Sequence, residues 1–420
     1  MVYNVIMEMI KIKTAIVGGG ASGLMLAAIL AQKGETSLVI ERGERVGKKL
    51  SATGNGQGNI TNLAVTKTEY FSSTVSGAQH AHGLIERFDD NSLIGFFARL
   101  GVLIAEDERG RAYPTGRQAS ALTDALRLYL AETDTRLQTG ALVTAVQKSK
   151  DGFILTVQTE KGTVTVNAET VVLCTGGKAA KNFGTDGSAY ALATGLGHTV
   201  TPLTPSLVQL KTDTAHIKTL KGLRVLDAGV TAVWSEKGER KQTSLTGDVI
   251  FTDYGVSGDA VFRVSVFVAD KISNGVNLYI DLLPQFTETE IYEMLLKKRK
   301  AFPSLAQNEL LGGIVNNQVG RAVMKRANND LKGAAKLVKA FLLTVTGTLG
   351  FDYAQVTKGG VPMEEVTKCL ESKKAKGLYF AGEILDIDGQ CGGFNLQWAY
   401  SSACAVAEAI LEKTRGQVCD

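Results

Sequence analysis

Residues 13–41 read KTAIV-GGGASG-LMLAAILAQKG-ET-SLVI-E, and this stretch decides the fold. KTAIV is a short apolar strand. GGGASG is a tight turn, and LMLAAILAQKG is an alanine- and leucine-rich helix that ends at Gly34. SLVI is a second strand, closed by Glu41. Strand, glycine turn, helix and strand in this order form a βαβ unit. A lone GxGxxG is a weak signal, and the flanking strand and helix make it specific. Gly18 permits the sharp turn, Gly20 lets backbone approach a pyrophosphate, and Gly23 lets helix and strand pack closely. The helix N-terminus offers unpaired N–H groups and partial positive charge to phosphate. Glu41, about 20 residues on, is placed to accept hydrogen bonds from ribose hydroxyls. A carboxylate there repels a 2′-phosphate, so NADP is disfavoured at this site.

Two further glycine-rich stretches stand far apart. Residues 47–62 read GKKLSATGNGQGNITN. Such a run cannot pack a core and suits a loop that wraps a polar ligand with backbone amides. Lys48 or Lys49 can meet a phosphate or the electron-rich edge of a flavin. Residues 377–397 read GLYFAGEILDIDGQCGGFNLQ, a strand, an acidic turn and a glycine pair that opens the last helix. Glu383 or Asp386 can bind ribitol hydroxyls. The N-terminus of that helix can stabilise negative charge on a reduced flavin. A ligand of NAD length does not explain glycine-rich sites at both ends of the chain, whereas the longer FAD does.

These segments, together with FTDYGVSG at 251–258 and AQVTKGGV at 354–361, resemble the bacterial HI-type flavoprotein family, which includes a bile-acid Δ4-reductase branch. The resemblance spans residues 13–410, and the terminal motif is its most specific part. It implies an α/β fold: a split Rossmann-like FAD-binding domain with an inserted β-barrel plus helical domain. Carried across by position, the first motif implies FAD contacts at Gly18, Gly20, Ser22, Gly23, Glu41 and Arg42. The second implies Lys49, Thr53, Gly56, Asn59 and Thr61. Val143 enters as a backbone contact to adenine from an edge strand, followed by Thr175 and Gly176. The terminal motif implies Gly382, Glu383, Asp386, Gly393, Phe394, Asn395 and Leu396. Two departures matter. Gln57-Gly58 stands where relatives carry Arg-Cys, which removes a fixed charge beside the loop. Thr252-Asp253 and Gly258-Asp259 replace Thr-His and Gly-Pro, so Asp253 takes over an acid role only if its pKa is raised.

The chain between the motifs fits this organisation. Helical patterns occupy residues 92–100 and 120–131. Strands at 141–147, 153–158 and 163–166 read as a meander, and VVLCT at 171–175 reads as a separate buried strand. Nucleotide-binding features are missing from 196–345. The expected domains are therefore 11–195 and 346–416 for the cofactor, with an insertion that is β-rich over 196–284 and helical over 285–345.

Composition narrows the function. The chain has 420 residues, 44% of them hydrophobic and 21% charged, which suits a globular protein of more than one domain. The net charge of +4 is small for a nucleic-acid binder, and the run Lys297–Lys300 reads as a solvated helix face. Five scattered cysteines and four histidines suggest neither a disulfide framework nor a metal site. No apolar run is long enough to span a membrane, and the N-terminus lacks a signal peptide's features, so a cytoplasmic location is expected. The first strand needs nothing before Lys11, so Met7 or Met9 could serve as the start.

The leading functional expectation is a flavoenzyme that takes hydride from NAD(P)H and reduces a conjugated C=C of a small-molecule enone, such as a 3-oxo-4-ene steroid or bile acid. The alternative is an amine or aminoketone oxidase that uses O₂, and a lesser one is a tRNA-modifying flavoprotein. The sequence assigns no catalytic acid or base. Cys391, His198, Tyr254, Tyr400 and Trp398 all read more simply as packing or loop residues.

Overall fold

The computed structural model describes residues 9–63 and 69–414. The chain forms two compact units, Met1–Leu203 with Val356–Asp420, and Thr204–Gln355. The sequence reading placed these joints at 195/196 and 345/346.

The first unit is built on a seven-stranded sheet. Strand Met9–Val17 pairs in parallel with Ser37–Ile40 on one side and Gly162–Leu173 on the other. Arg136–Gln138 extends the sheet beyond Ser37–Ile40, also in parallel. The first strand begins at Met9, ahead of the apolar stretch that opens at Lys13, with Met9 opposite Thr165 and Ile10 opposite Val166. Met7 lies outside the described residues.

One correction concerns the meander. The expected strands 163–166 and 171–175 are a single strand, Gly162–Leu173. Its first part pairs antiparallel with Gly152–Thr159, and its last residues pair in parallel with Leu378–Phe380. Glu169 and Thr170 look like a break in sequence, but the ladder to Met9–Val17 runs past them, with Thr14 opposite Thr170. Continuous backbone pairing outweighs two locally polar residues.

Helix Ala21–Gln32 buries residues on every side, because it lies between this sheet and the last helix, Phe394–Thr414. A helix enclosed on two faces must be apolar all round. Helix Val75–Arg87 went unread in the sequence. It is capped by Thr74, whose hydroxyl accepts from Gly77 N.

The second unit holds a closed antiparallel barrel of six strands: Leu210–Thr212, Gly255–Ser257, Glu239–Phe251, Arg224–Glu236, Asn277–Asp281 and Phe341–Thr348. Closure removes exposed strand edges. Helices Asp259–Val268, Glu288–Ala301, Asn317–Arg326 and Leu331–Lys339 belong to this unit. The basic run is partly structural. Lys298 donates to the Gly312 carbonyl and Arg299 to Leu305 O, near a helix C-terminus that favours cations.

Among the described residues no helix is long and apolar enough to cross a membrane, and no group of His, Cys, Asp or Glu could hold a metal ion. Cys174 and Cys404 are free thiols, and Cys369 is in a disulfide. Cys419 lies outside the described residues.

Candidate functional site

The three glycine-rich motifs, distant in sequence, meet in the first unit. Gly18 takes φ +107°, and a Cβ there would lie 2.5 Å from Cys174 O. A Cβ on Gly23 would lie 2.0 Å from Gly18 O. A Cβ on Gly20 would meet nothing within 4 Å. Two glycines are thus required by packing inside the protein, and the middle one faces open space. Gly20 caps helix Ala21–Gln32 without a side-chain hydrogen bond, and the first turn has no acidic residue. The first-turn N–H groups thus have no capping side chain.

Ser22 links the first motif to the third. Its hydroxyl donates to Ala381 O at 3.3 Å, and a Cβ on Gly382 would approach its Oγ to 2.7 Å. Gly382 is held from behind: its N–H donates to Ser402 Oγ at 2.9 Å, and Trp398 Nε1 donates to its carbonyl at 3.1 Å. Trp398 is therefore a support for the third motif. The second motif joins the third twice. Lys49 Nζ sits 2.8 Å from Glu383 Oε2, and a Cβ on Gly393 would lie 2.6 Å from Thr61 backbone.

The acidic residues divide their work. Glu41 accepts from Gly19 N at 2.8 Å and from Gly43 N at 2.7 Å, so it grips the glycine turn. Glu383 has both oxygens engaged, by Lys49 and by Thr357 N at 2.8 Å. Asp386 accepts from Ser73 N at 3.1 Å and Ser72 Oγ at 3.4 Å, while its Oδ1 is buried without a partner. Burial raises its pKa above the ordinary carboxylate value. Of the two carboxylates that sequence left open for ribitol hydroxyls, Asp386 keeps an oxygen to offer. Of the two lysines, Lys49 is committed to Glu383.

The remaining positions behave unequally. Arg42 is occupied by protein: it pairs with Asp186 at 3.0 Å, reaches Ser188 Oγ at 3.2 Å and donates to the Gly184 carbonyl. Against partial burial, hydrogen bonds from Ser188 and the Arg42 guanidinium hold the Asp186 carboxyl down to about 2. Thr53 donates to Leu50 O at 2.7 Å. Gly56 is exposed, with φ +83° and nothing within 4 Å of a Cβ. Asn59 Oδ1, Thr61 Oγ1 and Thr175 Oγ1 are buried polar atoms without partners. Gly176, at φ +68°, turns the chain beside Thr185. Val143 lies on the edge strand Ala141–Ser149, whose start is tied to the second strand's end by Ala141 N donating to Glu41 O. Phe394 packs edge-on against Tyr70, and Leu396 is buried. Asn395 pins the last turn, donating to Gly389 O at 2.8 Å and accepting from Gly389 N at 2.9 Å.

Buried polar atoms without partners are rare in folded proteins. Two of these residues stand beside motif glycines: Thr175 Cα lies 3.0 Å from a Cβ built on Gly18, and Thr61 backbone lies 2.6 Å from one built on Gly393. An elongated ligand with phosphates and hydroxyls fits this donor and acceptor set, and FAD has both.

Several residues prove to be something else. Asp253 does not replace the histidine of relatives. Lys221 Nζ lies 2.6 Å from its Oδ2, and the hydrogen bond and charge of that lysine lower its pKa. It stays ionised and cannot donate a proton near neutrality. Tyr400 donates to Ser92 O at 3.0 Å and is a packing residue. Burial pushes the Cys174 thiol up to about 12, so it stays a thiol.

His198 is walled in. Its Nδ1 lies 2.8 Å from Glu365 Oε2, its Nε2 lies 2.6 Å from Ser372 Oγ, and it meets the Phe380 ring edge-on. Burial lowers its pKa below the ordinary value. Glu365 is held at about 2 because hydrogen bonds from Lys374, Thr199 and His198 outweigh its burial. Both groups bind protons more weakly folded than unfolded. Their stabilisation is complete above the imidazole's ordinary pKa of about 6.5 and is lost as pH falls toward about 2. Urea unfolding followed from pH 7 to pH 3 should lose about 2 kcal/mol through Glu365. Glu365→Gln should flatten that slope, and an unchanged slope would refute the assignment.

The fold is of the Rossmann type. The chain belongs to the HI0933-like family, whose Rossmann domain matches residues 12–409. It is 34% identical over 418 residues to a 3-dehydro-bile acid delta(4,6)-reductase of Clostridium scindens, covering 96% of this chain and 99% of that one. It is 30% identical over 408 residues to a ribosomal RNA dihydrouridine synthase of Escherichia coli, covering 94% and 97%. Among solved structures, it shares its fold with a 3-ketosteroid delta4-(5alpha)-dehydrogenase from Rhodococcus jostii, at TM-score 0.50 and 15% identity, over 96% of this chain and 98% of that one. A 3-ketosteroid delta1-dehydrogenase from Sterolibacterium denitrificans matches at TM-score 0.51 and 12% identity, over 96% and 100%.

Proposed function

We propose that this protein binds FAD along the junction of the three motifs and uses it, with NAD(P)H as the electron source, to reduce a C=C conjugated to a carbonyl in a small molecule of steroid or bile-acid type. The observation that carries this reading is the 34% identity to the bile acid reductase over nearly the full length of both chains. When bound, FAD supplies hydride at its flavin ring. The protein's part is to hold and orient. The N-terminus of helix Ala21–Gln32 takes the pyrophosphate, Glu41 the ribose hydroxyls, and Asp386 a ribitol hydroxyl. The glycine pair at the start of the last helix leaves room for the ring, and Asn395 keeps that turn in shape. Reduction of the double bond adds hydride to the carbon β to the carbonyl and a proton to the α carbon. No side chain is assigned to that proton. A cytoplasmic location accords with a pyridine-nucleotide donor.

A second reading has its own support. A dihydrouridine synthase also saturates a C=C conjugated to a carbonyl, that of uracil, and such an enzyme is 30% identical to this chain. The chemistry is shared and the substrate's size differs.

Anaerobic absorbance of the yellow protein tests the reading. NADH or NADPH should bleach the flavin, and a 3-oxo-4-ene steroid should restore the colour. Restoration only by uridine-containing RNA would favour the second reading. Bleaching only by an amine, with peroxide formed on admitting air, would replace both with an oxidase.

A further inference from the structure

Tyr190 is absent from every motif above, yet its phenol feels the charges of Glu383 and Asp386 in the third motif. Its side chain is 6% exposed, and its hydroxyl has no hydrogen-bond partner. It opens the short helix Tyr190–Gly195, just after the loop that Arg42 clamps through Asp186, Ser188 and the Gly184 carbonyl. Thr185 of that loop lies against the turn after Thr175, since a Cβ on Gly176 would sit 3.1 Å from its Cγ2. The same turn touches the third motif, because a Cβ on Gly177 would lie 2.8 Å from Glu383 Oε1. Thr175 Oγ1, Tyr190 OH and Asp386 Oδ1 thus come from three segments of one unit, and all three are buried without partners. The fold could have used phenylalanine at position 190 without that cost, since an unpaired buried hydroxyl is unfavourable.

We propose that Tyr190 is a further cofactor-binding residue, whose hydroxyl donates a hydrogen bond to a phosphate or ribitol oxygen of FAD. The proposal rests on the FAD reading above. The phenol is suited to donate. Burial, together with the charges of Glu383 and Asp386, raises its pKa and keeps it protonated. Neither carboxylate takes its hydrogen: the Glu383 oxygens are held by Lys49 and Thr357, and no bond links Asp386 to the phenol. The Arg42 clamp now has a role, since it fixes the loop that delivers Tyr190.

The test is Tyr190→Phe, with FAD release read as the rise in flavin fluorescence after diluting the holoprotein. The variant should release FAD about 5- to 50-fold faster, the loss of one good hydrogen bond. The flavin-free variant should unfold at the same temperature as the flavin-free wild type or higher, because an unsatisfied hydroxyl is gone. Wild-type release from Tyr190→Phe would overturn the proposal. So would a lower unfolding temperature of the flavin-free variant, which would assign the hydroxyl to the protein's own packing. A wild-type protein that takes up no FAD would instead sink the functional reading, and it would be seen before any variant is made.

Discussion

Glu41→Arg should abolish flavin occupancy, with FAD affinity falling by at least about 100-fold while the far-ultraviolet dichroism stays native. Two effects add. The carboxylate accepts from Gly19 N and Gly43 N, and hydrogen bonds to a charged group contribute about 1.5–3 kcal/mol each. Its loss loosens the turn whose amides face the pyrophosphate. The arginine also removes the acceptor for the ribose hydroxyls. Glu41→Gln should fall between, because an amide keeps an acceptor oxygen without the charge. The reading predicts a colourless but folded Glu41→Arg protein. A yellow one with wild-type FAD affinity would defeat the assignment of Glu41 to the adenosine half.

The glycines of the first motif should separate folding from binding. Gly23→Ala places a Cβ 2.0 Å from Gly18 O, closer than atoms can approach. Helix Ala21–Gln32 would have to shift away from the glycine turn, in a core of close-packed side chains. The expected cost is about 3 kcal/mol or more, read as a lower urea midpoint and little recoverable protein. Gly20→Ala meets nothing within 4 Å and has φ −82°, which any residue adopts. It should fold with a stability within about 1 kcal/mol of wild type, yet bind FAD weakly, because the methyl occupies the ligand's space. Unfolding and flavin titration of the two variants would show the contrast. If Gly20→Ala binds FAD normally, the pyrophosphate does not lie over that residue.

Much of this was legible beforehand because it is local. The order of strand, glycine turn, helix and strand over residues 13–41 encodes a βαβ unit through apolar runs and special backbone positions. The terminal helix was legible for the same reason. The long strand Gly162–Leu173 was not. It looks broken at Glu169-Thr170, and only its partners on both sides make it continuous. Helix Val75–Arg87 was missed because its buried residues, Gly77, Ala81, Leu84 and Ile85, are few and include a glycine.

The candidate site divides in the same way. The sequence by itself determined that Gly18, Gly20 and Gly23 open a dinucleotide turn, that Glu41 follows it, and that a second glycine-rich site closes the chain. These signals depend on spacing along one short segment. Only the tertiary structure decided which of Lys48 and Lys49 is paired, and which of Glu383 and Asp386 keeps an unpartnered oxygen. It likewise decided that Asp253 stays ionised and that Arg42 serves the loop at 184–188. Each of these rests on a contact between residues far apart in the chain. A side chain's charge state and its free hydrogen-bonding atoms are set by what the fold brings next to it, and sequence order carries no record of that.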